Sequence, residues 1–473
     1  MALGSVVLLV SGFTSLRRKR LIENVPTSKV AGVFLGLTEV KGQAEPDEGG
    51  PLESYLTERD CVWYDYKVEE EWRKTETYTD DKGNTRTRTT SGWETVKSSD
   101  VRQPFFLADD TGRIRIVPAE AEVEGETSLS HTCGTGDPLY YGKGPSSAIA
   151  HSTYLRRFTE HLIRPGAPLY VMGPARLRSD VVEPEIAADA EEEMFLISVR
   201  SEEDIKSSYS IWSAVKLMIG GILLNAAPMV FFRGPSTEDF AVTLGRAWPV
   251  MAGGSVVYAS AIFIYYLVLL YNGLVSVRNR VAMAWSQIDI QLKRRLDLIP
   301  NLVSVVKGYA KHEKDILESL AKIRVEGLSG ERPGASRLPS GGAALAFASF
   351  ADAQTQALSG LFGIVERYPD LKADRSFAKL MNELSATETR IALARGFYNE
   401  SVTALNNRIE ALPDALIAKP GGFKQLDYFQ IEEIEKRPVV VNLDEKREPM
   451  LPTAEPIPER QAAQASAVRP QNK

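Results

Sequence analysis

The sequence predicts a multidomain membrane protein with a mainly-β N-terminal cytoplasmic domain, three transmembrane helices and a C-terminal all-α antiparallel helical bundle. Three observations predict this fold class. The chain has 473 residues, 25% of them charged, yet it contains long apolar runs almost free of charge. Short apolar runs bounded by Gly, Pro and Asp lie between two of these runs, and apolar residues at helical spacing follow the last one.

These patterns divide the chain into seven segments. The predicted segments are a transmembrane anchor at 1–16, a cytoplasmic β-rich domain at 17–208, a transmembrane helix at 209–232, a short external loop at 233–246, a transmembrane helix at 247–271, a helical bundle at 272–433 and a disordered tail at 434–473. The tail is rich in Pro, Glu, Ala and Gln and has too few apolar residues to fold.

The N-terminal apolar run, Met1–Leu16, is about 16 residues long, just below the usual lower limit of about 17 for a transmembrane helix. A cleaved signal peptide would carry positive charge before its apolar core. Here Arg17, Arg18, Lys19 and Arg20 follow the core instead. This order favours an uncleaved anchor with its N-terminus outside, and it makes these four cations the candidate contacts to anionic membrane lipid.

Two later runs are long enough to cross a bilayer, which needs roughly 20 residues of α-helix. Tyr209–Phe232 carries a single charge, Lys216, near its start, and Ala247–Val277 carries none. Because positive charge near membrane ends stays on the cytoplasmic side, Arg278 and Arg280 place the C-terminal part of the chain inside. The prediction is a multi-pass protein of the inner (cell) membrane with both large domains in the cytoplasm.

The segment 17–208 has the pattern of β-strands. The predicted strands are Val30–Leu37, Cys61–Val68, Phe105–Ala108, Arg113–Val117, Pro168–Met172 and Met194–Val199. Asp109–Gly112 predicts a hairpin turn between two of them. A second turn at Asp81–Asn84 predicts a polar arm from about Tyr66 to Lys97, although a plain solvated loop is favoured there, since long polar insertions cost little.

Two cysteines and four histidines limit the metal chemistry of the chain. Cys61 and Cys133 are predicted to be free thiols, as expected in a reducing compartment. His131 with Cys133 and His151 is a conceivable metal site, but the surrounding segment is rich in Gly, Ser and Pro, which favours loop residues. No metal and no cofactor is predicted.

The C-terminal pattern is helical. A stripe with spacings of three and four residues comprises Leu274, Val277, Val281, Trp285, Ile288, Leu292, Leu296 and Ile299. Because no Gly-Pro punctuation separates it from the last apolar run, one rod from about Gly254 to Ile299 is expected, with a kink or break at Pro300. A second helix over Asn301–Glu326, a loop at Gly327–Gly342 and a third helix over Ala343–Arg367 should follow.

The fourth predicted helix is the most regular. Its apolar stripe comprises Phe377, Leu380, Leu384, Thr387, Ile391, Ala394, Tyr398, Val402, Leu405, Ile409 and Leu412. Long helices with one narrow apolar stripe bury it on each other, which predicts an elongated antiparallel bundle.

The N-terminal domain resembles a known family. The resemblance is carried by VPTSKVAGVFLGLTEVKGQAE (Val25–Glu45), PLESYLTERDCVWYDYKVEE (Pro51–Glu70), RQPFFLADDTGRIRIVP (Arg102–Pro118) and YLRRFTEHLIRPGAPLYVMGPAR (Tyr154–Arg176). These segments are similar to the β-rich domain of the Mulan (GIDE) group of membrane-bound ubiquitin ligases. Ligases of that group carry a RING finger, whose two zinc ions need seven or eight Cys and His ligands. Two cysteines and no C-x-x-C pair cannot supply one, so ubiquitin ligase activity is rejected.

The C-terminal part resembles the LemA family. The matching segments are YNGLVSVRNRVAMAWSQIDIQLKRRLDLIPNLVSVVKGYAKHEK (Tyr271–Lys314), RYPDLKADRSF (Arg367–Phe377), ETRIALARGFYNESVTALNNRIEALP (Glu388–Pro413) and GGFKQLDYFQIEE (Gly421–Glu433). The resemblance implies a four-helix bundle on the cytoplasmic side of a bacterial membrane, without an established catalytic activity. The candidate assembly or partner surface comprises Asn279, Trp285, Asp289, Lys293, Arg294, Arg295, Tyr398 and Asn399.

The function predicted from these features is that of a non-enzymatic, membrane-anchored assembly or adaptor protein. The chain has no phosphate-binding loop, nucleophile elbow or dinucleotide fingerprint. A net charge of -6 with interspersed basic residues argues against nucleic-acid binding. The predicted partners are membrane lipid, further copies of the chain in a homo-oligomer and an unidentified membrane or cytoplasmic protein. The alternative is a membrane-bound enzyme or an oligomeric transport component with an unrecognised site, which a bound metal or cofactor would favour.

Overall fold

The computed structural model describes residues 2–79, 84–178, 183–190, 194–233, 240–309 and 375–429. The helices are α1 (Ala2–Asn24), α2 (Pro138–Gly142), α3 (Glu202–Phe231), α4 (Phe240–Tyr309), α5 (Arg375–Glu410) and α6 (Ala415–Ala418), with a 3-10 turn at Val30–Gly32. The strands are β1 (Thr27–Ser28), β2 (Gly36–Glu45), β3 (Leu52–Glu53), β4 (Asp60–Cys61), β5 (Trp63–Thr79), β6 (Thr85–Val101), β7 (Phe105–Asp109), β8 (Gly112–Val117), β9 (Glu122–Glu124), β10 (Glu126–Gly134), β11 (Ser152–Ile163), β12 (Pro168–Leu177), β13 (Pro184–Ala187) and β14 (Leu196–Ser198).

Five strands of the N-terminal domain close into a small barrel. β2 pairs with β7, β7 with β8, β8 with β13, β13 with β12, and β12 returns to β2. The core contains apolar side chains from these strands, among them Val40, Phe105, Leu107, Ile116 and Val171. The inward residues of each strand alternate with outward ones, so closing the sheet buries the apolar half of the pattern.

A second sheet has the strand order β10-β11-β5-β6. Its strands β5 and β6 pair antiparallel from Tyr64 opposite Val101 to Thr79 opposite Thr85. The polar segment is therefore a hairpin of two 17-residue strands, and the preference for a solvated loop was wrong. Thr and aromatic residues favour strands and stabilise each other as cross-strand pairs. We call the outer part of the hairpin, Arg73–Thr79 with 84–91, the arm tip.

Most of the predicted strands are present at the predicted positions. β7, β8, β12 and β14 lie at four of the predicted runs, and Asp109 pairs with Gly112 across the predicted turn. The predicted strand Val30–Leu37 is wrong for most of its length: Val30–Gly32 is the 3-10 turn, and β2 begins only at Gly36. Asp109 Oδ2 accepts the Val30 amide at 2.9 Å, and Thr111 Oγ1 accepts the Ala31 amide at 3.1 Å. These side chains satisfy the backbone locally and so replace the strand ladder.

Among the described residues, α3 and part of α4 are long and apolar enough to cross a membrane. α1 lies antiparallel to α3, because Ser5 Oγ donates to the Gly220 carbonyl at 2.7 Å while Lys216 Nζ donates to Ser15 Oγ at 3.0 Å. The apolar stretch of α1 runs directly into Arg17–Arg20 within a helix of 23 residues. Of the three predicted transmembrane helices, two are therefore supported by length and composition.

The predicted rod is present and is longer than expected. α4 has 70 residues, about 105 Å at 1.5 Å per residue. It begins at Phe240, inside the predicted loop 233–246. The break predicted at Pro300 is wrong, because this proline lies within the helix. A proline removes one backbone hydrogen bond, and the buried neighbours Ile299 and Leu302 hold that turn in place by packing.

The bundle is described for α4 and α5, which run antiparallel: Trp285 lies beside Tyr398, and Arg295 beside Glu388. The predicted stripe of α4 is buried throughout. In α5 the buried positions are Phe377, Leu384, Thr387, Ile391, Ala394, Tyr398, Ser401, Val402 and Leu405. All of them except Ser401 belong to the predicted stripe. Of the other predicted positions, Leu380 and Ile409 are half-buried, and Leu412 lies beyond the end of the helix and is 75% exposed. The rest of the second predicted helix beyond Tyr309, the loop and helix predicted after it, and the tail lie outside the described residues.

Candidate functional site

The helical bundle packs directly on the N-terminal domain through the 3-10 turn. A Cβ added to Gly32 would lie 3.2 Å from the Leu393 Cβ of α5, so the backbone approaches the helix closely. Next to it the rings of Phe34 and Phe397 are 6.3 Å apart between centroids. From α4, Arg280 donates to the Leu37 carbonyl at 3.3 Å. These contacts join the β-rich domain and the helical bundle at one apolar interface with a polar edge.

A second contact joins the bundle to the end of α1. Arg408, on α5, donates to the Asn24 side chain and forms an ion pair with Asp414 at 2.9 Å. Its guanidinium lies over Gly273 of α4, where an added Cβ would be 2.8 Å from the nearest guanidinium nitrogen. Gly273, which in the sequence is only an isolated glycine, is therefore the position that lets this arginine cross between helices.

A buried carboxylate on β2 connects the barrel to the start of α3. Glu39 is 1% exposed and accepts hydrogen bonds from Thr27 Oγ1 at 2.5 Å and from the Tyr170 hydroxyl at 2.8 Å. Lys41 bridges it to Glu202 at the start of α3, with Nζ–O distances of 3.3 and 2.6 Å. Burial raises the pKa of Glu39 above its ordinary value. The strand is thus tied to the first turn of a membrane helix.

The predicted assembly surface is divided by the structure. Trp285 and Tyr398 are buried in the bundle core, 5.4 Å apart between ring centroids, and Phe429 packs 6.2 Å from the same indole. The Tyr398 hydroxyl donates to the Asp427 carbonyl at 2.9 Å. Both residues therefore hold the segment after α6 against the helices, and their assignment to a surface was wrong.

Two further residues of that prediction also make internal contacts. Arg295 is 1% exposed and its Nε lies 2.6 Å from Glu388 Oε1, a carboxyl whose pKa burial raises. Asn399 accepts the Phe429 amide at 2.8 Å and donates to the Phe429 carbonyl at 3.2 Å. The remaining positions are Asn279, Lys293 and Arg294, which are exposed, and Asp289, which is half-buried. Trp285 and Tyr398 belong to the apolar stripes, so helical periodicity indicates their burial. It does not distinguish Arg295 and Asn399, which flank the stripes, from the exposed positions.

The four predicted lipid contacts have different environments. Arg18 forms an ion pair with Glu122 at 2.7 Å, and so turns toward the β domain. Lys19 donates to Ser210 Oγ of α3 at 3.3 Å.

Arg20 contacts α4 as well as its own helix. It donates to Glu23 Oε2 and to the Tyr266 hydroxyl of α4, both at 3.1 Å. Arg17 and Arg18 line a cavity between α1 and α3, whereas Lys19 and Arg20 are not part of its lining. The run Arg17–Arg20 therefore contains two cations that line the cavity and two that do not, a difference that its composition does not indicate.

The cysteines are free thiols, as predicted, and both are buried. Burial raises the pKa of Cys61 to about 12. His131, Cys133 and Asp137 have potential ligand atoms within 4.8 Å of one another, but His131 and Cys133 lie on β10 and not in a loop. Asp137 Oδ1 already caps α2, and burial raises the pKa of Cys133, which disfavours the thiolate that a metal needs. His151 does not belong to this group.

The chain matches two protein families over separate regions. A sequence model of the LemA family matches residues 284–443, and the GIDE model, described as E3 Ubiquitin ligase, matches residues 73–230. Magnetosome protein MamQ of Magnetospirillum gryphiswaldense is 26% identical over 193 residues, which cover 38% of this chain and 71% of that protein. Magnetosome protein MamQ 2 of Paramagnetospirillum magneticum has the same identity and coverage.

Protein LemA of Metamycoplasma hominis is 25% identical over 178 residues, which cover 37% of this chain and 75% of that protein. The LemA match agrees with the resemblance carried by the C-terminal segments. The GIDE match includes Arg102–Pro118 and Tyr154–Arg176, but it begins after Val25–Glu45 and Pro51–Glu70 and extends to residue 230, so it includes nearly all of α3. The chain therefore carries a GIDE-type domain in its N-terminal region and a LemA family domain in its C-terminal region.

Proposed function

We propose that this protein is a non-enzymatic, membrane-anchored assembly platform of the LemA type, in which copies of the chain associate at the cytoplasmic face of a bacterial inner membrane. Its GIDE-type and LemA domains both lie in the cytoplasm, α1 is a third membrane segment, and the N-terminus is outside. The arm tip and the exposed positions of α4 make the contacts to further copies or to a protein partner.

One observation carries the proposal: the two domains pack on each other and on the membrane helices, while the arm tip projects with its side chains exposed. A strand pair that buries little apolar area of its own is typical of a segment that is completed by contact with another chain. β6 is the outer strand of its four-stranded sheet, so its free edge offers backbone donors and acceptors for strand addition.

The absence of ligase chemistry also supports a non-enzymatic role. The GIDE-type domain is related to proteins described as ubiquitin ligases, but two cysteines and four histidines cannot build a RING finger with two zinc ions. The relatives that share the LemA region include proteins named for the magnetosome and for LemA itself. None of these names states an enzymatic reaction.

The assembly is tested on the full chain in lipid nanodiscs or mild detergent. Mass photometry and electron microscopy should show defined oligomers, and isolated monomers without partner density would defeat the proposal. Deleting residues 73–91 and joining Trp72 to Gly92, which are cross-strand partners, through Asn-Gly should shift the distribution toward monomers. The matched variant Lys293→Glu with Arg294→Glu, which changes the exposed face of α4, reports whether the bundle contributes instead.

The topology is tested separately with reporter fusions at Ser99 and at the C-terminus. Both fusions should report a cytoplasmic location. A periplasmic signal from either fusion contradicts the proposed arrangement, whatever the oligomeric state.

A further inference from the structure

A cavity of about 560 Å³ lies where α1 and α3 meet the edge of the GIDE-type domain. Arg17 and Arg18 line it from α1, Lys216 from α3, and Arg200 from the segment before α3. Glu122 and Glu124 of β9 are the carboxylates in the lining, so four positive side chains face two negative ones. The cavity therefore has an excess of two positive charges.

The carboxylates are already paired within the cavity wall. Glu122 binds Arg18 at 2.7 Å, and Glu124 lies 3.8 Å from Arg200 and accepts Ser198 Oγ at 2.9 Å.

Lys216 has a hydroxyl group as its partner instead of a carboxylate. Its Nζ donates to the neutral Ser15 hydroxyl at 3.0 Å, and among the described residues no carboxylate lies within 4.0 Å of it. A lysine that has only a hydroxyl as partner, at the polar end of an apolar helix, retains donors for an anion.

The wall of the cavity continues into apolar helix surface. Ser11 and Thr14 line the cavity, and one helical turn earlier on the same face of α1 lie Val7 and Val10, which are 59% and 56% exposed. On α3, Ile219 follows Lys216 by three residues and is 42% exposed. A ligand with a charged group in the cavity can therefore place an apolar chain along both helices.

Trp212 marks the level of the cavity along the helices. It lines the cavity and is 58% exposed, between the charged start of α3 and its apolar remainder. Indole rings of this kind prefer the interface between lipid headgroups and acyl chains. The depth of the cavity is thus the depth of a lipid headgroup.

We propose that this cavity binds the phosphate group of an anionic membrane lipid, with Lys216, Arg200 and Arg17 as its cationic contacts and Arg18 held beside them by Glu122. The inference rests on the proposed membrane location of α1 and α3. A phosphate dissolved in the cytoplasm has the same charge, but it makes no use of the apolar path along Val7, Val10 and Ile219. The bound lipid would connect both helices to the β domain at one point.

The proposal separates the cationic run of α1 into two functional groups. Arg17 and Arg18 contact the lipid from within the cavity. Lys19 and Arg20, with their contacts to Ser210 and Tyr266, do not. A general attraction of basic residues to a negatively charged membrane makes no such distinction.

The test uses the full chain, first checked for retention in membranes after carbonate extraction. Release into the soluble fraction would overturn both the proposed function and this inference. The retained protein is purified, and native mass spectrometry compares added phosphatidylglycerol, phosphatidylcholine and inorganic phosphate. One phosphatidylglycerol per chain should remain bound under conditions that remove phosphatidylcholine, and inorganic phosphate at equal concentration should not displace it.

The variants locate the site. Lys216→Gln with Arg200→Gln should weaken phosphatidylglycerol binding by about tenfold or more, because two charged donors are lost. Thr14→Phe, which narrows the cavity without changing charge, should also weaken binding. Lys19→Gln with Arg20→Gln removes the same charge at the same level and should leave binding within about twofold of the unmodified chain.

Three results would overturn the lipid site while leaving the assembly proposal standing. These are equal retention of phosphatidylcholine and phosphatidylglycerol, displacement of the lipid by inorganic phosphate, and equal losses in the cavity variant and the Lys19–Arg20 variant.

Discussion

The root and the tip of the β5–β6 hairpin belong to the same pair of strands but have opposite environments. At the root, Glu70 is fully buried, and its carboxylate lies 2.9 Å from the equally buried Arg156 guanidinium. From Arg73 outward, the described side chains of the tip are exposed. The boundary lies at Trp72, whose ring packs over the backbone of Gly92.

The root is stabilised by a fully bonded polar network. Arg156 donates to the carbonyls of Tyr140 at 2.7 Å, Pro145 at 2.8 Å and Ser147 at 3.0 Å, and Glu70 accepts from Ser152 Oγ at 2.5 Å. A buried ion pair tolerates burial only when its remaining donors and acceptors are satisfied in this way. The buried network therefore holds the root of the hairpin in place, while the tip extends away from the domain with its side chains exposed.

The largest effect is expected at the root. Arg156→Met leaves Glu70 buried without its cation, which should lower the free energy of unfolding by about 3–5 kcal/mol. The measurement is the thermal midpoint of the purified chain, together with hydrogen exchange of β11 and β5. Arg157→Met is the matched control, because this neighbour is 40% exposed and pairs with Glu69 at 2.6 Å. It should cost about 1 kcal/mol or less, and equal losses in the two variants would contradict the comparison.

A second buried carboxylate, Glu39, has less compensation than Glu70, and its pKa is raised by burial. The folded protein therefore binds this proton more tightly than the unfolded chain. The resulting stability is fully present below the ordinary carboxyl pKa and is lost as the pH rises through the raised value. Glu39→Gln should flatten this part of the profile of thermal midpoint against pH, by on the order of 1 kcal/mol.

The control for this prediction is Glu45→Gln, an exposed carboxylate on the same strand, which should leave the profile unchanged. If the Glu39 variant keeps the pH dependence of the unmodified chain, another group is responsible for it.

The boundary between root and tip is tested at Gly92. A Cβ there would lie 3.0–3.1 Å from the Trp72 ring, so Gly92→Val must displace the indole. We expect a loss of about 1–2 kcal/mol and faster exchange confined to β5 and β6. Thr89→Val, at an exposed position of the tip, should change neither quantity. A similar response at both positions would move the boundary further out.

The sequence predicts the parts of the fold that rest on local periodicity. The stripe from Leu274 to Ile299 is buried as its spacing predicts, and so is most of the α5 stripe, because a single helix face is defined by residues three and four apart. The α5 stripe fails at its predicted end, where Leu412 is 75% exposed. The hairpin turn at Asp109 was also predicted from local chemistry. Pro300 shows the limit of such reasoning, since tertiary packing keeps the helix continuous where the local rule expects a break.

The side-chain contacts of the candidate site are much harder to predict from the sequence. Glu70 and Arg156 are 86 positions apart, and Arg18 and Glu122 are 104 apart, so no local pattern connects them. The cavity gave two signals in the sequence: the basic run that contains Arg17 and Arg18, and Lys216 as a single charge within an apolar run. Trp285 belongs to the apolar stripe and is buried as its spacing indicates, whereas Arg295 is a charged residue beside the stripe, and only its contact with the partner helix decides that it is buried.

The smallest effect on stability is expected at the arm tip. Tyr78 is 50% exposed, so Tyr78→Ser should change the free energy of unfolding by less than about 0.5 kcal/mol. At the root, Tyr66 is 8% exposed and stacks on Tyr55 with 4.5 Å between centroids, and Tyr66→Ser should cost about 3 kcal/mol or more. Thermal midpoints and mass photometry are measured on both variants. If the tip contacts another chain, Tyr78→Ser weakens association while stability stays unchanged, whereas parallel losses of stability in both variants mean that the tip is part of the folded core.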